Sequence, residues 1–201
     1  MAIIVVACVI AALAYRGTQA ETYSPLNHWI SELGESSVSS LGGVFNAGLV
    51  AGGGLFLQFQ VGLVRATTGW LRFPVLVIGI VSGIAGILVG AFPMDHGGTH
   101  TLVALTFFLT GWIGPLLVSL RLLDGSKDGL PRWLVVPGVV AAVAFGGFLV
   151  LIFLPGGEAR LTAPDVRPGF WLPAALEWLS LIAILTWTAC TAAVLTRRPA
   201  A

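Results

Sequence analysis

From Pro74 to Phe92 the chain reads Pro-Val-Leu-Val-Ile-Gly-Ile-Val-Ser-Gly-Ile-Ala-Gly-Ile-Leu-Val-Gly-Ala-Phe, nineteen residues without one charged side chain. As a helix this run rises about 28 Å at ~1.5 Å per residue, close to the ~30 Å hydrocarbon core of a bilayer. A helix also satisfies its own backbone hydrogen bonds in lipid, which an open strand cannot do. The stretch is therefore predicted to span a membrane. Reading outward from it, apolar runs between charges and turn residues give five more spans, and the set is approximately 2–15, 41–64, 74–92, 99–122, 133–154 and 170–195. The first is short for a bilayer, so the expectation is either a trimmed start or a helix that continues past Arg16. It has neither a basic leader nor a small-residue cleavage site and reads as a retained anchor.

The rest of the composition agrees. Apolar residues make up 57% of the 201, charged residues 9%, and mean hydropathy is +0.95. A soluble domain carries roughly 25% charged residues, so too few are present to coat a water-facing surface. The net charge of +1 offers no basic surface for a nucleic acid, and membrane lipids are the partners this composition implies. The fold class expected is all-α: a single membrane domain over 1–201, a compact six-helix bundle with a short interfacial helix after the first span.

Charge sets an orientation. With the N-terminus inside, Arg65, Arg72, Arg121, Lys127, Arg132, Arg197 and Arg198 are cytoplasmic, while Arg16, Arg160 and Arg167 are external. That bias satisfies the positive-inside rule and places both termini in the cytoplasm. Most carboxylates sort the other way: Glu21, Glu32, Glu35, Asp95, Glu158 and Asp165 are external, Asp124 and Asp128 internal. Trp29 and Trp171 fall at the outer boundary, Trp70 and Trp133 at the inner one. Glycines four apart (Gly48 and Gly52, Gly79 and Gly83, Gly86 and Gly90) suit close helix approach, within this bundle or between copies. Cys8 and Cys190 sit in spans on opposite membrane halves and are expected as free thiols.

Chemistry-bearing residues gather on the external side, where all three histidines fall. In the first external segment Ser24 suits an N-cap, Pro25 a first helical position and Gly34 a stop, which predicts a helix of about nine residues. Its polar face would carry His28, Ser31 and Glu32, either solvated at the membrane surface or forming a site wall. In the turn between spans three and four, Thr99 is the expected N-cap, with His96 in the turn and His100 in the first helical turn. Asp95 beside His100 either orients the imidazole or shares a cation with it, or else caps the helix that follows. Deeper, Asn46 and Glu177 enter their spans from the same side. Ionisable groups inside a span are expensive and point to function, whereas the plain alternative is an interhelical hydrogen bond. Pro155 to Gly169 reads as a solvated loop.

Tyr23, the string Ile30-Ser31-Glu32-Leu33-Gly34, Asn46-Ala47-Gly48-Leu49 and Phe92-Pro93-Met94-Asp95 followed by His100 together resemble the domain of unknown function 998 family. These are six-span membrane proteins of bacteria and archaea. The resemblance covers essentially the whole chain and implies a compact bundle in a prokaryotic plasma (inner) membrane, with a polar site at its outer mouth and no assigned activity. A looser similarity reaches seven-span lipid hydrolases that hold zinc with three histidines beside a Ser and an Asp. Ser31, Asp95 and His100 fit that pattern, but the histidine pair of the last helix is missing and Glu177 stands there instead.

Three functions follow as expectations. One is an enzyme acting on a lipid or lipid-linked substrate at the outer leaflet, with Glu32, Asp95 and His100 catalytic. Zn²⁺ would be its expected cofactor, held by His28, Asp95 and His100. The second is a ligand-binding or transport module in which Glu177, Asn46 and His100 form a polar cavity, with His28 and Ser31 also ligand-binding. The third is an accessory structural subunit whose polar residues only brace the bundle.

Overall fold

The computed structural model describes residues 1–125, 130–157, 162–164 and 166–197. Lys127, Asp128, Glu158, Arg160, Asp165 and Arg198, which entered the charge reading, lie outside the described residues. The protein is a bundle of helices: α1 (Ala2–Ala14), α2 (Gly42–Ala66), α3 (Arg72–Ala91), α4 (Gly98–Thr110), α5 (Ile113–Leu123), α6 (Val135–Phe153) and α7 (Leu172–Thr196). Short 3₁₀ turns at Ser31–Gly34, Gly69–Leu71, Met94–His96 and Arg132–Leu134 lie between them. Among the described residues the only β pairing is an isolated bridge between Tyr15 and Ser39.

Among the described residues five stretches are long and apolar enough to cross a membrane: Gly42–Ala66, Gly69–Ala91, Gly98–Leu123, Arg132–Phe153 and Leu172–Thr196. They match five of the six predicted spans, and the protein is a polytopic helical membrane protein. The sixth, α1, is 13 residues long and ends at Ala14, with Tyr15 already extended at φ −69° and ψ 136°. The alternative of a helix continuing past Arg16 is not realised, because Arg16 N–H instead donates to Val38 O at 2.8 Å.

Proline positions explain several helix starts. Pro74, Pro137 and Pro173 each sit in the first turn of α3, α6 or α7, where the missing amide would have had no partner. Pro115 acts differently. It lacks an N–H for the carbonyl of Gly111, its ring crowds that carbonyl, and the fourth span breaks into α4 and α5 at Gly111 and Trp112. Gly97, not Thr99, precedes α4. Its φ of 51° and ψ of −117° suit a residue without a Cβ.

The outward faces are apolar: Val136, Val139, Val140, Val143 and Val150 of α6 are exposed, as are Val77, Ile80, Val81 and Ile84 of α3. That stripe inverts the pattern of a water-soluble helix and suits contact with lipid tails. The inward faces close on two large clusters and a small one of Ala141, Ala144 and Ala183. One large cluster joins Leu63, Phe108, Phe145, Phe148 and Trp187, and the other joins Ile4, Tyr15, Leu33 and Phe45.

Glycines set the closest approaches within this chain. A Cβ on Gly48 would lie 2.4 Å from that of Ala7 on α1, and one on Gly90 would lie 2.6 Å from the Asn46 carbonyl of α2. The thiols of Cys8 and Cys190 are free. The connections α1–α2, α3–α4 and α6–α7 meet at one end of the bundle, termed here the site end. Hydrogen bonds join them there, from Ser36 N–H to Asp95 at 3.0 Å and from Trp171 N–H to Leu26 O at 2.8 Å. Arg65, Arg72, Arg121 and Arg132 lie toward the opposite end, beside the exposed Trp70 and Trp133.

Candidate functional site

The predicted nine-residue interfacial helix does not form. Residues 24–28 make a single turn, with His28 N–H donating to Ser24 O at 3.0 Å, and the next regular element is the 3₁₀ turn at Ser31–Gly34. Side chains have claimed the backbone groups a continuous helix would need. Trp29 N–H donates to Glu32 Oε1 at 3.0 Å, and Ile30 N–H to Glu177 Oε2 at 2.7 Å. The Tyr23 hydroxyl donates to Trp29 O at 3.0 Å and receives the Trp178 indole N–H at 2.8 Å. Two consecutive amides are thus capped by two carboxyl groups from different parts of the chain. The segment becomes a plug in the mouth of the bundle rather than a helix on a membrane surface.

Above the plug lies a cup of about 270 Å³, lined by Tyr15, Glu21, Trp29, Glu32, Glu35 and Arg167 among others. Glu32 is buried and carries its heaviest load of bonds here. It accepts from the Tyr15 hydroxyl at 2.6 Å and from Arg167 Nη2 at 3.0 Å, besides the Trp29 amide. Arg167 also donates Nη1 to Asn27 O at 3.1 Å, and Asn27 Nδ2 donates to Pro168 O at 2.6 Å. The stretch before α7, expected to be merely solvated, is therefore clasped onto the plug.

Just beyond the end of α1, the Tyr15 phenol is held above its ordinary value, first by burial and then by its bond to Glu32. Burial likewise raises Tyr23. Glu21 is held below the ordinary carboxylate value, chiefly by its own backbone amide and also by the Gln19 N–H at 2.9 Å. His28 is buried between the two tyrosine rings, with centroids 5.3 Å from each. Its Nδ1 lies 2.6 Å from Asn27 Oδ1, and its Nε2 lies 3.8 Å from Glu21 with no hydrogen-bond partner.

Below the plug lies a second space, a cavity of about 110 Å³ among α1, α2, α3, α4 and α7. Its wall is apolar over most of its area, with Phe45, Leu49, Phe107 and Leu181 prominent. Ser31, His100 and Glu177 also line it. His100 is buried in the first turn of α4, as predicted, and its Nδ1 lies 2.8 Å from Phe92 O. A carbonyl can only accept, so Nδ1 carries the ring proton and Nε2 is left as an acceptor.

The predicted site residues thus divide. Glu32 belongs to the cup, while Glu177, Ser31 and His100 belong to the cavity. His28 packs behind the plug. Asp95 is exposed and neither pairs with His100 nor caps α4, because it accepts from the Ser36 amide at 3.0 Å and the Ser36 hydroxyl at 3.1 Å. Asn46 donates to Gly34 O at 3.0 Å and so ties the plug to α2.

The expected zinc ligands do not assemble: His28, Asp95 and His100 are each committed to different partners. Among the described residues no group of three His, Cys, Asp or Glu side chains could hold a metal ion. Tyr15, Glu21 and Arg167 were missed as site residues. The only available signal was an arginine and an aromatic hydroxyl bordering the same end as an unpaired glutamate.

No curated protein and no solved structure matches the chain. A family profile does match it, over residues 2–194, and its description is Protein of unknown function (DUF998). With that match spanning nearly all of the apolar bundle, the chain belongs to the DUF998 family of membrane proteins.

Proposed function

We propose that this protein binds a lipid or lipid-like amphiphile at the site end of the bundle. The apolar part lies in the cavity, and the head meets Glu177, His100 and Ser31 beneath the plug. The observation that carries the reading is the cavity itself: an apolar, partly enclosed space inside a membrane bundle, with Ser31, His100 and Glu177 reaching it from three separate elements. Its about 110 Å³ compares with the ~150 Å³ of an apolar cavity that accepts benzene, so it suits a ring or a short stretch of chain. The arginine bias toward the opposite end supports an external site end, and with it an outer-leaflet ligand.

Binding is favoured over hydrolysis by the placement of the expected catalytic trio. Glu32 already accepts three hydrogen bonds in the cup, Asp95 is exposed with Ser36, and of the three His100 reaches the cavity. An acid–base pair must share a reacting atom within hydrogen-bond reach, and these three residues belong to different spaces.

A cavity-filling variant tests the reading. A Cβ on Gly86 would meet nothing nearer than the Phe107 ring at 3.8 Å, so Gly86→Val adds methyl groups to the cavity without a clash at Cβ. Native mass spectrometry of the wild type is expected to show a co-purified or added amphiphile at one per chain. The Gly86→Val protein is expected to melt no lower and to carry none. Equal loading of both would contradict the reading.

A further inference from the structure

The head-binding end of the cavity has a chemical bias of its own, and the inference from it rests on the amphiphile-binding reading above. Among the described residues five polar side chains line the cavity: Ser31, Ser82, His100, Glu177 and Thr188. The two deep hydroxyls are committed to their own helices, Ser82 to Ile78 O at 2.9 Å and Thr188 to Ile184 O at 2.7 Å. That leaves Ser31, His100 and Glu177 to meet a ligand. His100 can only accept there, because its single ring proton is given to Phe92 O. Glu177 offers a carboxyl group anchored through one oxygen by the Ile30 amide. Among the described residues no lysine or arginine side chain lines the space.

We infer that the ligand head is a hydrogen-bond donor without negative charge, and that an amine is preferred to an alcohol. A primary ammonium has three N–H donors to offer and supplies the positive charge that a carboxylate in an apolar wall otherwise lacks. A hydroxyl head satisfies the same acceptors without that charge pairing. A phosphate or carboxylate head would bring a negative charge to these acceptors with no lysine or arginine among the described residues beside them to balance it.

The experiment compares matched chains: decylamine, decanol and decanoate added to the purified full chain in detergent, read by ligand-dependent thermal shift. Three proteins are run: wild type, Gly86→Val and Glu177→Gln. Gln retains a carbonyl oxygen for the Ile30 amide, so the plug keeps its anchor. In the wild type the amine is expected to stabilise most, the alcohol less, and the acid not at all. Glu177→Gln is expected to weaken the amine about tenfold or more, as loss of a desolvated charge pair implies, and to leave the alcohol within about twofold.

Decanoate binding as tightly as decylamine, or an amine preference untouched by Glu177→Gln, would overturn the head assignment while leaving the cavity in place. No compound stabilising the wild type beyond its effect on Gly86→Val would overturn the binding reading and this inference with it.

Discussion

Removing the Tyr15 hydroxyl probes the clasp over the plug. Tyr15→Phe deletes a 2.6 Å bond to the buried Glu32 carboxylate and leaves the ring in place against Tyr23 and His28. Hydrogen bonds to charged groups contribute about 1.5–3 kcal/mol net, so a loss of about 2 kcal/mol is expected. Arg167→Met removes the cation from the same carboxylate. Breaking a buried pair costs about 3–5 kcal/mol, but the Arg167 side chain keeps 20% of its surface in solvent, which lowers the expectation to about 2–3 kcal/mol.

Because both partners act through one carboxylate, the effects do not add. Tyr15→Phe in a Glu32→Gln background should cost about 1 kcal/mol less than in the wild type. For a chain of this size each kcal/mol moves the melting temperature by about 2–4 °C, so Tyr15→Phe lowers it by ~4–8 °C. Thermal unfolding in detergent, followed by tryptophan fluorescence, reads all four corners of the cycle. Single variants that add to within about 0.5 kcal/mol would show that Tyr15 and Glu32 are not coupled, and the clasp would have to be abandoned.

Two further outcomes follow from the packing and the titrations. Gly90→Ala would place a methyl group 2.6 Å from the Asn46 carbonyl and is expected to destabilise by about 2 kcal/mol or more. Gly54→Ala, with nothing within 4 Å, is expected to stabilise α2 by about 0.5–1 kcal/mol, and melting curves that rank the two alike would contradict the α2–α3 contact. The only two tyrosines, Tyr15 and Tyr23, are both pushed up by burial, Tyr15 next by its bond to Glu32 and Tyr23 next by the nearby charge of Glu177. Since the fold keeps both phenols neutral, their contribution to stability is intact below pH ~10 and is lost as pH rises beyond it. Near-ultraviolet titration should show no tyrosinate until the protein unfolds, and half the signal appearing at about pH 10 would refute the burial of one ring.

The bundle was legible because apolar runs of span length admit one backbone solution in lipid. Five of the six spans emerge within a few residues of their predicted limits. The interfacial helix was not legible. Ser24, Pro25 and Gly34 are sound local signals, but they could not reveal that Glu177, more than 140 residues away, would take the Ile30 amide. Asp95 shows the same limit: nearness to His100 along the chain suggested a pair, yet Ser36 from another connection had two donors to offer. Glu177 was singled out because an ionisable group inside a span is costly, a property of the residue and its depth alone. His100 was singled out as the neighbour of Asp95, a pairing that does not form. Arg167 was not, since its role depends on a carboxylate 135 positions earlier.

The central claim is that the cavity below the plug, rather than the cup above it, holds the ligand. A decylamine carrying a diazirine at its chain end, photolysed on the purified protein and mapped by peptide mass spectrometry, tests it directly. The account predicts labelling of the cavity walls on α3 and α4, around Gly86 and Phe107, and its loss in Gly86→Val. Labelling confined to the cup, on peptides bearing Glu21, Glu35 or Arg167, would contradict it.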